Sequence, residues 1–471
     1  MNLNTKVKLA IDAMMEGASR YAVYVTMNRQ FADIRDGLLP VQRLTLWSLF
    51  GLTKLPKRDY VKCARVVGDT VGRYHPHSPD AAYDALCGMT KKHTAIAQLD
   101  GDGNFGGLLD KASAYRYTDC RLSDYGLSFV DKAYINEVPY VNNYDGKETV
   151  PVYLPALLPN VLLNGVFGIG YGYKADIPAF TAKSVAKLMA KAFAHDGQIS
   201  ERDCRMLLPN LVNNGVCSDL TQLHPFFASG EGRLRVEPKL RIDGKDVYIE
   251  GVYSLNLEKL AERFNMHPDV RCVTDASGKQ SKSSICIIVQ CSRNMATVAE
   301  ELHKHLTDTV ALRANLLIND IKPGYQHDNE TLPSDLILYT MPQLVRTWVD
   351  YRVDLERRML MRKVEGHGDS IYRIDALLKA AAHLKDFAGL LLEKVSREEL
   401  VRKTSALLDC DEEQARIALA TPFGRLAGLE IQQLEKERKQ HIADTKALDH
   451  KIDHIFPATH AAVAETFTLL P

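Results

Sequence analysis

Lys111-Ala-Ser-Ala-Tyr115-Arg116-Tyr117-Thr118-Asp119-Cys120-Arg121 places a tyrosine directly after an arginine, a short way downstream of Asp100-Gly-Asp-Gly-Asn-Phe-Gly106. A phenol is a poor nucleophile at neutral pH but a good leaving group, so attack on a phosphodiester and its reversal can be balanced. Arg116 offers the permanently charged planar fork that suits a phosphate. Arg-Tyr is also a common dipeptide, and alone it reads as an ordinary surface pair. The surrounding segments decide between the two.

The chain has 471 residues, which suggests about three domains. Apolar content of 46% and charged content of 25% are those of an ordinary soluble protein. A net charge of zero argues mildly against a nucleic-acid partner. Local charge points the other way. Between Arg29 and Arg73, nine Lys/Arg (29, 35, 43, 54, 57, 58, 62, 65, 73) stand against four Asp (33, 36, 59, 69), a net of +5. Such a patch on a neutral body is enough to hold a phosphate backbone. The nine cysteines contain no CxxC pair, which reads as reduced cytoplasmic thiols and not a disulfide frame or zinc site. The N-terminus lacks a basic-then-apolar signal pattern. The most apolar run, Tyr153 to Tyr173, is interrupted by Pro155, Pro159, Asn160 and Asn164 and is too broken to span a membrane.

Three regions differ in character, and together they predict a mixed α+β, multidomain chain divided at 1–150, 151–340 and 341–471. In the first, Tyr60 to Arg73 reads as a helix with Val61, Ala64, Val67 and Val71 on one face and Lys62, Arg65, Asp69 and Arg73 opposite. After Tyr74-His-Pro-His-Ser-Pro79, Ser78 can cap a second helix with Pro79 at its first position and Gly88 at its end. Two short helices with basic residues outside fit a helix-turn-helix or winged-helix unit. An ordinary helical hairpin with a solvated charged face fits equally. In the second region, Val247 to Tyr253 and Ser284 to Gln290 read as strands and Met295 to Leu306 as a helix, an α+β pattern. The third reads as almost wholly helical. Leu344, Trp348, Tyr351, Leu355 and Met359 make one stripe, and positions 431, 434, 438, 441, 445, 448, 452 and 455 follow 3-4 spacing. That spacing predicts a two-helix antiparallel arm with an imperfect seam, and a small helical cap over 366–424.

Gly101-Asp-Gly103-Asn-Phe-Gly106 matches GxGxxG, but no strand–helix pair with a suitably placed acid accompanies it. Asp100, Asp102 and Asn104 mimic the start of a calcium loop, yet Phe105 replaces the required Gly and Lys111 the bidentate Glu. A glycine-rich turn that lets backbone pass close to a partner remains. His75-Pro-His77 lacks companion metal ligands in sequence; its imidazoles can instead donate to phosphate or to a developing oxyanion. No P-loop is present.

Together these segments resemble the breakage-reunion (A) subunit of type IIA DNA topoisomerases, the gyrase and topoisomerase IV family. The resemblance is carried by Tyr21-Ala22, Asn28-Arg29, Asp33-Ile-Arg35-Asp36-Gly-Leu38, Pro40-Val41 and Lys62-Cys-Ala-Arg-Val-Val-Gly-Asp69. It continues through Tyr74-His-Pro-His77, Tyr83-Asp84, Asp100 to Gly106 and Arg116-Tyr117-Thr118. Val141-Asn-Asn-Tyr-Asp-Gly146, Leu158-Pro-Asn, Leu163-Asn-Gly165 and Gly168-Ile169 complete it. Residues 20–180 match most strongly; Gly230-Glu-Gly-Arg233 and Leu426-Ala-Gly-Leu-Glu430 match more loosely.

The resemblance implies a winged-helix DNA-gate domain, an α/β tower domain, and a long antiparallel coiled-coil arm with a helical dimerisation cap at the C-gate. It implies that Tyr117 attacks DNA and holds its 5′ end. Arg29, His75, His77 and Arg116 would surround the scissile phosphate, Ile169 would wedge between base pairs, and Arg35, Arg43, Lys62, Arg65 and Asn164 would face DNA. It implies a homodimer joined by a separate TOPRIM/ATPase subunit into a heterotetramer. That partner would bind Mg²⁺ and ATP, with no metal held by this chain. The expected setting is DNA in the cytoplasm of a bacterium or phage-infected host.

Three departures stand out. Leu39 replaces the family's usual Lys, Gln42-Arg43-Leu44 replaces His-Arg-Arg, and Ser78-Pro79-Asp80 replaces Gly-Asp-Ser. Asp80 and Asp84, one helical turn apart, occupy the positions that anchor fluoroquinolones in the family. The chain ends at Pro471, before any β-rich wrapping domain, so relaxation and decatenation are expected in preference to gyrase-type supercoiling. A short A-type chain of this kind resembles the medium subunit of T-even-like phage topoisomerases. Two competing readings are a catalytically inactive DNA-binding or architectural protein of the same fold, and a dinucleotide-dependent enzyme. Retention of Arg29, His75, His77, Arg116 and Tyr117 favours cleavage over the first; only the GxGxxG match supports the second.

Overall fold

The computed structural model describes residues 14–15, 17–18, 21–22, 25, 29–53, 59–90, 96–106, 111–211, 215–253, 255–277, 286–319, 334–422 and 428–470. Asn28, Lys54, Lys57, Arg58, Ser284, Ile285, Leu426 and Ala427, which the sequence reading uses, lie outside them. The chain divides into two compact units: residues 1–352 with 459–471, and residues 353–458.

The first unit begins with α1 (Pro40–Leu52), β1 (Val61–Lys62), α2 (Cys63–Asp69), α3 (Pro79–Gly88), β2 (Leu99–Asp102) and β3 (Asp119–Leu122). The strands form one antiparallel sheet in the order β1-β3-β2, with the three helices packed together beside it. The single helix expected over Tyr60–Arg73 does not form. Val61 and Lys62 pair instead with Cys120 and Asp119, and Cys63 N–H donates to Thr118 O at 3.0 Å. The helix therefore starts at Cys63, and a π-type turn, Thr70–Tyr74, closes it. Its buried residues are Cys63, Val66, Val67 and Thr70, a face rotated from the one expected. α3 follows the sequence reading: Pro79 is its first residue and the Ser78 side chain accepts from Asp80 N at 3.3 Å.

Further along lie the hairpin β4 (Tyr140–Asn142) and β5 (Thr149–Pro151), then α4 (Asn160–Asn164), β6 (Val166–Ile169), β7 (Lys174–Ile177) and α5 (Ala182–Ala194). α6 (Leu223–Ser229) ends at Gly230, whose left-handed φ of +76° turns the chain into β8 (Glu231–Val236). Next come β9 (Lys239–Asp243), β10 (Asp246–Gly251), α7 (Leu257–Asn265), β11 (Val270–Asp275), β12 (Ile287–Cys291) and α8 (Met295–Leu306). β13 (Asp308–Arg313), β14 (Asn315–Asn319) and β15 (Ser334–Leu338) complete the strands.

Two four-stranded sheets result, β11-β12-β10-β9 and β6-β7-β13-β8. In the first, alternate residues Val247, Ile249, Ile287 and Val289 meet Leu260 and Phe264 of α7 and Val298 and Leu302 of α8 in one core. The two strands and the helix anticipated here are present, with α8 spanning the anticipated residues. β14 also pins the segment after Arg29: Ile34 N–H donates to Leu317 O, and Leu317 N–H to Ala32 O, both at 2.9 Å.

α9 (Met341–Ala382) carries the stripe Leu344, Trp348, Tyr351, Leu355 and Met359, all buried. In the second unit follow α10 (Leu384–Leu390), α11 (Arg397–Leu408), α12 (Glu412–Leu419) and α13 (Gly428–Asp453). Asp375 binds Arg438 at 2.5 Å and His367 Nδ1 lies 2.7 Å from His441 Nδ1, so α13 runs antiparallel to this part of α9. Ile374, Leu377, Phe387, Leu408, Ala418 and Leu434 form the core. α14 (Ile455–Phe467) follows. Among the described residues no helix is long and apolar enough to cross a membrane.

Candidate functional site

Tyr117 sits at the mouth of the β2–β3 hairpin, two residues before β3. Its backbone N–H donates to Ala114 O at 2.9 Å, forming a turn that pushes the side chain outward. The phenol is 65% exposed, and among the described residues it makes no hydrogen bond. The Arg116 guanidinium lies 4.7 Å from its ring centroid and is also exposed. Gly103, with φ of +116°, passes close to Thr118: an added Cβ would stand 3.0 Å from Thr118 Cγ2. The glycine-rich turn thus serves the tyrosine's own loop. β2 leads into an antiparallel hairpin, which removes the strand–helix context a dinucleotide fingerprint needs.

One functional residue escapes the sequence reading except as part of a motif. Tyr83, on the buried face of α3, donates its hydroxyl to Ser113 O at 2.7 Å and lies 2.9 Å from Thr118 Oγ1. Its ring also meets Tyr115 edge-on, with centroids 5.7 Å apart. These contacts bracket Tyr117 on both sides, so α3 holds the loop while leaving its phenol in solvent. The buried run Ala82, Tyr83, Leu86, Cys87 marks Tyr83 as inward-facing, but only the folded loop supplies its acceptor.

His75 and His77 follow the π-type turn. Their rings meet edge-on at 4.4 Å, and His75 N–H donates to Thr70 O at 2.8 Å. Burial, the neighbouring His77 and Arg29 push His75 down to about 4. Burial and Arg29 lower His77 as well. Arg29 therefore stands near both, and the three form a single group whose imidazoles are neutral at pH 7. The loop beneath is braced by Asn143 Nδ2 donating to Arg73 O (2.6 Å) and by Arg73 bound to Glu148 and Asp69.

The basic patch needs correction. Arg35 is buried and forked onto Asp33, with bonds of 2.8 and 2.6 Å, and stacks on Tyr153 at 3.7 Å. Arg43 is buried and forked onto Asp36, at 2.6 and 3.0 Å. Both guanidiniums are thus buried ion pairs and not exposed charges. The half-buried Asn164 amide is bonded within the chain: it accepts from Ile96 N and donates to Ile96 O and Asn160 Oδ1. Lys62 is exposed but pairs with Asp119 at 2.7 Å. Arg65 is exposed and makes no ion pair among the described residues. Ile169 projects into solvent, 59% exposed. Asp80 and Asp84 are both exposed on α3. Among the described residues no group of three or more His, Cys, Asp or Glu is placed to hold a metal ion.

An outward tyrosine beside an arginine, and a second cluster of one arginine and two neutral histidines, are parts suited to nucleic-acid phosphate chemistry. The family model for the A subunit of DNA gyrase and topoisomerase IV matches residues 29–461, and the chain belongs to that family. It is 27% identical over 447 residues to the gyrase A protein of Clostridium acetobutylicum, covering 91% of this chain and 52% of that protein. To the gyrase A protein of a Nocardioides species it is 29% identical, covering 90% and 47%. To the A subunit of DNA topoisomerase 4 from Pseudomonas aeruginosa it is 28% identical, covering 93% and 60%. The chain thus spans about half the length of these relatives.

Proposed function

We propose that the chain is the DNA cleavage-religation subunit of an ATP-dependent type IIA topoisomerase, which relaxes or decatenates DNA by passing one duplex through a transient break in another. The observation that carries this is the presentation of Tyr117: an unbonded, exposed phenol beside Arg116, on a loop clamped from both sides by Tyr83. Tyr117 Oη attacks phosphorus, the phenolic proton is released, and the bond to the 3′ oxygen breaks. A 5′-phosphotyrosine and a free 3′-hydroxyl result. Return attack by that hydroxyl expels the phenol and reseals the strand, so no bond energy is lost. Arg116 and Arg29 face the non-bridging oxygens, and neutral His75 and His77 donate N–H groups to charge that develops there. Ile169 enters the base stack and bends the duplex. The winged-helix, tower and arm assignments, and dimerisation through the helical cap, belong to the same reading.

A partner TOPRIM/ATPase subunit would hold Mg²⁺, which would supply positive charge to the phosphate chemistry, and would bind ATP to drive the cycle. Two copies of this chain and two of the partner make the working heterotetramer, in the cytoplasm on DNA. Mixing the chain with such a subunit, ATP, Mg²⁺ and supercoiled circles is the test. Relaxation that disappears in Tyr117→Phe is expected. DNA bound tightly with its topology unchanged in every mixture would favour an architectural protein. Asp80, in place of a small polar residue on α3, sets quinolone response on this reading. Dose–response curves for trapped cleavage that coincide in wild type and Asp80→Ser would refute that role.

A further inference from the structure

β6 and β7 form a hairpin that projects four large apolar side chains. Its tip, Gly170-Tyr171-Gly172-Tyr173, is closed by Gly170 N–H donating to Tyr173 O at 2.9 Å. Along β6 the pleat turns Val166 and Gly168 inward and Phe167 and Ile169 outward. Phe167 is 61% exposed, Ile169 59%, Tyr171 58% and Tyr173 54%. Four large, mostly exposed apolar and aromatic side chains grouped on one projection mark a candidate binding surface. Ile169 is accounted for as a wedge; Phe167, two residues away on the same face, is not.

The hairpin is fixed against the cationic site. Gly168 abuts the main chain at Gln30, where an added Cβ would stand 2.1 Å from Gln30 O. Gln30 directly follows Arg29, the residue whose charge is felt by both His75 and His77. Lys174, paired with Asp176 at 2.8 Å, lies 5.9 Å from the Phe167 ring centroid. Spacing then identifies what fits the apolar face. Side chains at i and i+2 on a strand are rooted about 6.7 Å apart. That distance is two stacking intervals of about 3.4 Å, room for one base pair in van der Waals contact on both sides.

We infer that Phe167 is a second base-stacking side chain, which with Ile169 clamps a single base pair of bound duplex DNA. The inference rests on the DNA-cleavage reading of this site for its ligand. It makes the bend a two-point opening of the stack and assigns specificity to the deformability of neighbouring steps.

The test uses the full chain and a short duplex labelled at both ends for energy transfer, titrated at several salt concentrations. Phe167→Ala is expected to weaken binding about 5-fold or more and to lower energy transfer between the ends, as loss of one stacked base requires. The slope of log affinity against log salt stays unchanged, since stacking releases no counterions. Phe167→Trp retains affinity and bend. Matched melting temperatures establish that both variants are folded. A Phe167→Ala chain that binds and bends DNA like wild type overturns the clamp, as does loss of both properties in a folded Phe167→Trp. The two readings fail separately. A wild-type chain that bends DNA without ever forming a Tyr117 adduct removes cleavage and leaves the clamp. A Phe167→Ala chain that cleaves and bends normally removes the clamp and leaves cleavage.

Discussion

Arg43 counts as a positive charge in the sequence and contributes none to the surface, because Asp36 holds both arms of its fork. Asp36 in turn accepts from Leu38 N and Leu154 N, so the pair is a buried junction between distant segments. Arg43→Ala strands that carboxylate and is expected to cost about 3–5 kcal/mol in denaturant unfolding. It should leave the salt slope of DNA binding by the folded protein intact. Arg65→Ala should do the reverse, reducing the slope by about 1 with stability nearly unchanged. A charge count does not separate these cases, because pairing at spacings of two and seven residues depends on a turn that only the fold fixes. Tyr83 makes a similar point. Tyr83→Phe removes the bonds to Ser113 and Thr118, worth about 1 kcal/mol each. The expected result is slower cleavage at unchanged DNA affinity. Equal cleavage rates in single-turnover measurements would show that the clamp on the Tyr117 loop is unimportant.

Among elements, α3 is legible in full because its start signal is local: Ser78 and Pro79 act within one turn. α2 is not. Its sequence has helical periodicity from Tyr60, but two residues are claimed by a strand partner almost sixty positions away, and the face rotates accordingly. The π-type turn that follows positions His75 and His77 against Arg29, and this yields a pH prediction. In the free protein His75 titrates near 4 and His77 is lowered too. A phosphate placed beside them favours the protonated forms, so their bound-state pKa values exceed the free ones. Binding therefore takes up protons. DNA affinity should rise as pH falls below 7 and level off near pH 4, where free His75 is itself protonated. Affinity measured from pH 5 to 8 should lose this slope in a His75→Asn, His77→Asn double variant; a slope that survives would place the phosphate elsewhere.

For the whole molecule, the third region is the most readable. All eight seam positions from 431 to 455 are buried or half-buried, although Arg438, His441 and Thr445 interrupt the apolar pattern. Arg438 and His441 are accommodated by Asp375 and His367, partners that periodicity alone does not name. Leu434→Ala is expected to cost about 2 kcal/mol, the lower end for core truncation, because the side chain retains 8% exposure. Equilibrium unfolding checks this value. At this scale the basic stretch is also less cationic than its residue count: Arg35, Arg43 and Arg73 are paired with carboxylates within the chain, whereas Arg65 and, further on, Arg116 are exposed and make no ion pair among the described residues. The direct test of the proposed cleavage chemistry is covalent trapping. The chain is mixed with a TOPRIM/ATPase subunit, Mg²⁺ and end-labelled duplex, quenched with detergent, and compared with Tyr117→Phe. A 5′-linked protein–DNA adduct in the wild type alone is the predicted result. An adduct that persists in Tyr117→Phe, or none in any mixture that binds DNA tightly, would contradict it.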